Sequence, residues 1–413
     1  MTAAAAAREP AARAAPAARP TTVLHAFSTF ELGGPQSRFL RLFDALGDGY
    51  RHVVAAMDNC FDAAARIEGD PRLTLVRLPV RKGRGLGNVR MLREQIERIG
   101  PDVLVSYNWG ATEWMFANAR LRVPQLHVEE GFGPEETARR LPRRSIARAL
   151  AVRASGATLV TVSQTLAAIA RREWLVPAAR LVTVPNGVDT GRFRAPRHPG
   201  GARAQPDDGH VQRDAAPPRP DGTQPPGADR ELVVGTVAGL RGEKRIDRLI
   251  DAVALAGAQG ARLRLVVAGD GPQRALLEQR AAAAGLAGHI EWMGFLADPQ
   301  PLYARLDLFA LSSDTEQMPL ALLEAMASGC PAVATDVGDV RAILGAAAPE
   351  QVVACSAPAM AAALVRLAAD APARRRLGEA NARRAQERYD ERQMVAAWRD
   401  LIDRAALRAR PSP

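Results

Sequence analysis

The sequence predicts an α/β chain of two doubly wound parallel-sheet domains facing across a cleft. Three observations carry this reading. Short, almost continuously apolar runs alternate with helix-length segments; the rhythm restarts after Glu231; and a polar stretch rich in Pro and Gly separates the two series. Strands buried on both faces read as unbroken apolar runs because helices cover them above and below, and such strands pair in parallel.

Taken in order, TVLHAF (Thr22–Phe27) is the first strand and PQSRFLRLFDAL (Pro35–Leu46) the first helix. HVVAAM, LTLVRL, DVLVSYN, VPQLHVE and ATLVTVS follow as strands, each set off from the next by a helix-like segment. Residues 197–230 contain a single aliphatic side chain larger than alanine, Val211. Such a segment buries too little surface to offset its ordering entropy and is expected to be a flexible linker or loop. ELVVGTVAG, LRLVVAGDG, HIEWMGF, LDLFALSS and PAVATD then supply a second sheet, and Asp390–Ala409 reads as an amphipathic helix. The expected divisions are a disordered arm over 1–20, a first domain over 21–195, the linker over 196–230, a second domain over 231–390 and a terminal helix over 391–408. Parallel sheets place ligands at the carboxyl ends of their strands, so function is expected between the domains.

Aromatic residues make up 5% of the chain, too few for a nucleic-acid reader built on base stacking. The net charge of +10 asks for anionic partners without naming them. Cys60, Cys330 and Cys355 are odd in number and far apart, which fits neither a disulfide framework nor a zinc site and makes a reducing cytosol the simplest setting. No apolar run approaches the ~20 residues of a membrane span, and the opening segment lacks the apolar stretch of a secretory signal. A cytoplasmic location is expected. Arg139, Arg140, Arg143, Arg144, Arg148 and Arg153 lie on or near one helix, which is either a solvated basic face or a hold on an anionic membrane surface.

The chemistry concentrates in Ser312–Val340, where Glu316 precedes a helix and Glu324 lies inside it. Pro319 is expected at the first helical position and Gly329 at the stop, so the amides near Leu320 and Ala321 open toward the cleft as an anion site. A helix end supplies only ~0.3–1 kcal/mol, whereas micromolar affinity needs ~8 kcal/mol. Cations must contribute, and Arg241 and Lys244 follow a strand directly; each offers ~1.5–3 kcal/mol to a phosphate, unless this stretch is simply a solvated loop. Glu324 is placed to accept both hydroxyls of a ribose diol, with an internal arginine as the alternative partner. Gly269 and Gly271 form a turn after a strand but lack the third glycine of a dinucleotide fingerprint.

These residues together resemble the retaining, nucleotide-sugar-dependent glycosyltransferases of family 4. Glu316 to Glu324 fits the family's E-x7-E pattern; LRGEKRIDRLIDA resembles its phosphate loop, VVAGDGPQRALLE its next strand and turn, and IEWMGF, ending at Phe295, the strand that cups the nucleobase. LEAMASGCPAVATDVGDV is similar to its most characteristic segment. STFELGGPQSRF resembles the Gly-rich first loop, with Gly33 and Gly34 near donor or acceptor, or simply in a tight turn. TVSQTLAAIARRE and LVTVPNGVDTGRF resemble the end of the family's N-terminal domain. The resemblance implies two Rossmann-like domains in the GT-B arrangement, the acceptor on the first and the donor, a UDP- or GDP-sugar, on the second beside Met318, Pro319, Leu320 and Ala321. It implies that Glu324 binds ribose, Glu316 a sugar hydroxyl and Lys244 the diphosphate, with no metal and no cofactor beyond the co-substrate.

Two departures stand out. Gly239 occupies the position of a family arginine, for which Arg241, two residues on, is a candidate substitute. The position of a family histidine reads as Glu130, while His127 lies three residues earlier; the choice between them stays open. The expected activity is retaining transfer of a sugar to a hydroxyl of a glycan or lipid-linked acceptor in envelope polysaccharide or glycolipid synthesis. Displacement through a covalent adduct on Glu316 is the rival mechanism. A sugar-nucleotide epimerase and a catalytically idle nucleotide-sugar-binding protein are the alternative functions.

Overall fold

The computed structural model describes residues 19–80, 85–132, 136, 140–194 and 230–409. Residues 1–18 of the expected arm over 1–20, most of the linker and Arg139 lie outside the described residues.

Seven parallel strands form the first sheet: β1 (Thr21–Phe27), β2 (Tyr50–Ala56), β3 (Leu73–Val76), β4 (Val103–Tyr107), β5 (Gln125–Glu129), β6 (Thr158–Thr161) and β7 (Leu181–Thr183), in the order β3-β2-β1-β4-β5-β6-β7. Helices α1 (Gly34–Leu46), α2 (Gly85–Ile99), α3 (Thr112–Asn118), α4 (Pro142–Ser155) and α5 (Gln164–Arg172) connect them. The second sheet has six parallel strands, β8 (Leu232–Val237), β9 (Leu263–Ala268), β10 (Ile290–Gly294), β11 (Leu308–Leu311), β12 (Ala332–Thr335) and β13 (Val352–Val353), ordered β10-β9-β8-β11-β12-β13. Its helices are α6 (Ile246–Ala258), α7 (Arg274–Ala283), α8 (Gln300–Arg305), α9 (Leu320–Ala327), α10 (Val340–Leu344), α11 (Ala348–Gln351), α12 (Ala357–Ala369), α13 (Ala371–Arg388) and α14 (Glu391–Ala409).

In each sheet the order reverses beside the first strand, so the loops after β1 and β4, and after β8 and β11, diverge and open a crevice. The two crevices face one another, and a shared apolar core stands between the domains. Trp174 and Phe193 of the first domain belong to the same buried cluster as Tyr303, Leu322 and Met326 of the second. Strand alternation is suppressed: β4 and β5 are buried at every position, as helices on both faces require.

Helix α14 departs from a simple two-domain partition. Asp390 bridges to Val188, and the helix crosses to the first domain, where Met394, Trp398 and Ile402 are buried with Val23, Phe27 and Phe43. Its amphipathic face is therefore part of the first domain's core.

A polar chain crosses that core. His25 Nδ1 lies 3.0 Å from the Tyr107 hydroxyl and His25 Nε2 lies 3.0 Å from His52 Nδ1. Burial holds both imidazoles neutral: His25 titrates well below the ordinary range, and His52 is lowered to about 4 by burial and then by the nearby Arg72 charge. The unfolded chain, with histidines near pH 6.5, takes up these protons first. Stability is therefore fully present above pH 6.5 and declines as pH falls toward 4. For His52 alone the loss amounts to about 3 kcal/mol. The urea midpoint at pH 5 is expected to lie clearly below that at pH 7.5, and His52→Gln should flatten the difference.

Candidate active site

A cavity of about 650 Å³ lies between the domains, lined by Phe132, Glu136, Arg140, Thr165 and Ile169 from the first and by residues 314–317, Val337 and Gly338 from the second. Glu316 is thus on its wall.

Glu316 is fixed by two neighbours. Lys244 Nζ donates to its Oε1 at 2.6 Å, and the Ser313 hydroxyl donates to the same oxygen at 2.7 Å. Lys244 ends a short 3₁₀ turn after β8, and Arg245 follows with φ +50° in the left-handed region, tied by ion pairs to Asp247 and Asp314. Those pairs hold a strained residue where the chain turns into α6. Gly338, at φ +52°, lies flush against the Glu316 peptide; a Cβ there would stand 1.9 Å from the Glu316 oxygen.

Glu324 stands on α9 with 8% of its surface exposed. Two side chains meet its carboxylate: Tyr303 donates its hydroxyl to Oε2 at 3.0 Å, and Arg41 Nη2 lies 3.5 Å from Oε1. Arg41 comes from α1 of the first domain and also donates to the Gly187 carbonyl at 2.7 Å. The Arg41–Glu324 pair spans the interdomain gap and keeps Glu324 in it. Burial raises the Glu324 carboxyl and the Arg41 charge opposes that rise.

The neighbouring positions singled out from the sequence fall as follows. Pro319 is the N-cap of α9, with extended backbone (ψ 115°), so the helix begins at Leu320, one residue later than expected. Met318 is buried, and its carbonyl accepts from the Asn186 side chain at 2.9 Å, again across the gap. Gly329, at φ +70°, follows the helix end as the glycine stop. Phe295 is exposed just after β10, whose last carbonyl, on Gly294, accepts from the Gly269 amide. Gly269 has φ +137° and Gly271 is its companion; a Cβ on either would strike the backbone of Ala238 or Leu240. Their role visible here is close packing of two loops. Arg241 is over half exposed, pairs with Glu243 at 2.9 Å, and carries its Nε 3.8 Å from where a Gly239 side chain would begin.

In the first domain, His127 is buried in β5 with Nδ1 2.8 Å from the Ser106 hydroxyl and Nε2 3.5 Å from Glu129. It does not line the cavity and belongs to the strand's internal polar network. Glu130 is at the boundary: its amide donates to Asn108 Oδ1 at 2.8 Å, its carboxylate pairs with Arg38, and Gly131 beside it packs on Gln317. Burial raises its carboxyl against the Arg38 charge. Gly33 caps α1, and a Cβ added to Gly34 would stand 3.9 Å from Glu130 Oε2. Neither has positive φ, so neither glycine is required by its backbone.

The arginine cluster of α4 is corrected. Arg148 is buried and bonded to Glu129 and Glu136, while Arg144 pairs with Glu136 and Arg140 with Glu173. Arg143 and Arg153 remain exposed, on the helix face that also exposes Ile146 and Leu150. Among the described residues no group of three or more His, Cys, Asp or Glu side chains is placed to hold a metal, and no helix is long and apolar enough to cross a membrane.

The fold defines the GT-B class: two parallel-sheet domains facing one another across a cleft with charged walls. The family described as Glycosyltransferase Family 4 matches residues 32–192, and Glycosyl transferases group 1 matches residues 223–384. The chain belongs to the family 4 glycosyltransferases. It is 33% identical over 174 residues to a GDP-mannose-dependent alpha-(1-6)-phosphatidylinositol dimannoside mannosyltransferase of Mycobacterium tuberculosis, a match covering 41% of this chain and 39% of that one. It is 32% identical over 143 residues to a 2-deoxystreptamine glucosyltransferase of Streptomyces kanamyceticus, covering 34% and 37%. Among solved structures, Anabaena HepE in complex with UDP and glucose superposes with TM-score 0.73 at 16% identity, covering 93% of this chain and 99% of that one. Sucrose-phosphate synthase of Thermosynechococcus elongatus superposes with TM-score 0.71 at 20% identity, covering 93% and 98%.

Gly338→Ala is expected to push the Glu316 loop out of register and to destabilise by about 2 kcal/mol or more, read as a lowered urea midpoint.

Proposed function

We propose that the protein transfers a sugar from a nucleotide diphosphate sugar to a hydroxyl acceptor with retention of anomeric configuration. The observation that carries this reading is the pair of carboxylates on the second domain, each held by a cation and both facing the interdomain gap. Family membership and GT-B neighbours that bind UDP or UDP-glucose support it.

Glu324 exchanges Arg41 for the ribose hydroxyls when donor enters. Lys244 has three N–H donors and gives one to Glu316, leaving two for the diphosphate. Arg241 and the amides opening α9 add positive potential. The bond between the anomeric carbon and the β-phosphate oxygen breaks, and its electron pair leaves with the diphosphate, where these groups receive the charge. The acceptor oxygen bonds to the anomeric carbon from the same face and passes its proton to the departing phosphate oxygen. Among the described residues Glu316 Oε2 takes no partner, which leaves it for a donor-sugar hydroxyl. The step as written needs no metal.

The names of the relatives suggest donors of the GDP-mannose or UDP-glucose kind and acceptors in envelope or lipid-linked glycans. For a lipid-linked acceptor, the outer face of α4 suits an anionic membrane surface, with Ile146 and Leu150 entering the interface and Arg143 and Arg153 at the headgroups.

Thermal-shift titration with UDP- and GDP-sugars should find one class that raises Tm equally with and without EDTA, and Glu324→Gln should lose most of that rise. Lys244→Ala is expected to lower kcat by about 10²–10³. Arg241→Ala should weaken donor affinity; an unchanged value would reject its role as substitute for the missing arginine. Ile146→Asp with Leu150→Asp should abolish flotation with anionic vesicles while leaving turnover of a soluble acceptor intact.

A further inference from the structure

Asp339 stands at the N-cap position of α10, yet its side chain makes no hydrogen bond to that helix. Both carboxylate oxygens are turned onto the other domain. Oδ2 accepts from the Gln164 amide at 2.7 Å, while Oδ1 accepts from the Thr165 amide at 2.9 Å and from the Thr165 hydroxyl at 2.7 Å. Gln164 and Thr165 are the first residues of α5, whose own N-cap, Ser163, takes the Leu166 amide at 3.0 Å. Helix α5 is therefore capped twice, once from its own domain and once by an anion belonging to the opposite one.

The same few residues hold the site's loop. The Asp339 amide donates to the Gln317 carbonyl at 3.4 Å, and the Gln317 side chain accepts from the Ser163 hydroxyl at 3.1 Å. Gly338 presses on the Glu316 peptide, as described above. A carboxylate at a helix N-terminus meets both unpaired amides and a favourable dipole, so three short bonds here outweigh an exposed ion pair. An aspartate serving only the second domain's folding would cap its own helix. Turned outward, it contributes only while the domains are closed.

We propose that Asp339 is a positioning residue for the transfer: an interdomain latch that sets the Glu316–Gln317 loop against the start of α5 and so fixes the sugar-facing carboxylate relative to the acceptor wall. This rests on the transferase reading, but the latch itself does not. Asparagine replaces it only in part: its oxygen can still accept from Thr165, but its NH₂ would face the Gln164 amide, donor against donor. Glutamate keeps the charge and two oxygens.

The test uses the full chain with Asp339→Ala, Asp339→Asn, Asp339→Glu and, on the other side of the contact, Thr165→Val. Without ligand, hydrogen exchange should rise about tenfold or more at the Gln164 and Thr165 amides in the Ala variant, and at the Gln164 amide in the Asn variant. Leu166, still capped by Ser163, should stay protected. For the donor and acceptor that support turnover, kcat/KM should fall about tenfold to hundredfold. The Kd for UDP or GDP alone, which is bound by the second domain, should stay unchanged. Asp339→Glu should recover most of the activity, and Thr165→Val should move both readings in the same direction by less. Unchanged exchange at residues 164 and 165 would overturn the latch. Raised exchange with wild-type kcat/KM would overturn its positioning role. Absence of transfer by the wild-type chain with every nucleotide sugar would refute the transferase reading while the exchange result still decides the latch.

Discussion

The Glu324 carboxylate is the point on which the two halves of this molecule are balanced. A buried anion needs a partner, and its cation comes from the opposite domain while a hydroxyl comes from its own. That division makes closure of the cleft and neutralisation of the site one event. The same logic recurs along the gap: Asn186 reaches the Met318 carbonyl, Ser163 reaches Gln317, and Arg192 pairs with Asp298. Each contact takes a polar group at the carboxyl end of a strand in one sheet and satisfies it with a group from the other. The cleft is polar because both crevices are polar, and these paired groups flank the apolar core that the two domains share.

Much of this was legible before any coordinates. Strands buried on both faces announce themselves as apolar runs, so β1, β4, β8 and β9 fall where the sequence puts them. The shorter β7 and β13 carry too few residues to stand out, and β7 was hidden in a segment that reads equally well as loop. Glu324 was marked by a simple incongruity, a charge in an apolar helix. Arg38 and Arg41 carry the same incongruity within RFLRLF, and that signal would have marked both as candidates for a buried ion pair. Sequence could not reveal that the two meet, because nothing local encodes which face of α1 looks across the gap.

Other side chains were illegible for physical reasons. Asp339 looks like an ordinary helix cap, and only the tertiary arrangement shows its carboxylate pointing elsewhere. The run of arginines on α4 suggested one basic face, but 3.6-residue periodicity splits it. Arg148 turns inward to two glutamates, and Arg143 and Arg153 turn outward. His127 reads as a strand-end histidine, whereas pleat parity aims it into the Ser106 and Glu129 network.

The passage of α14 back across the molecule has a consequence for biosynthesis. Domains made early in translation ordinarily fold while the remainder of the polypeptide is still being assembled. Here the hydrophobic interior around Val23 and Phe27 is filled by Trp398 and Ile402. The amino-terminal lobe therefore stays incompletely packed until α14 has been synthesised, and the nascent chain must be kept from aggregating throughout that interval.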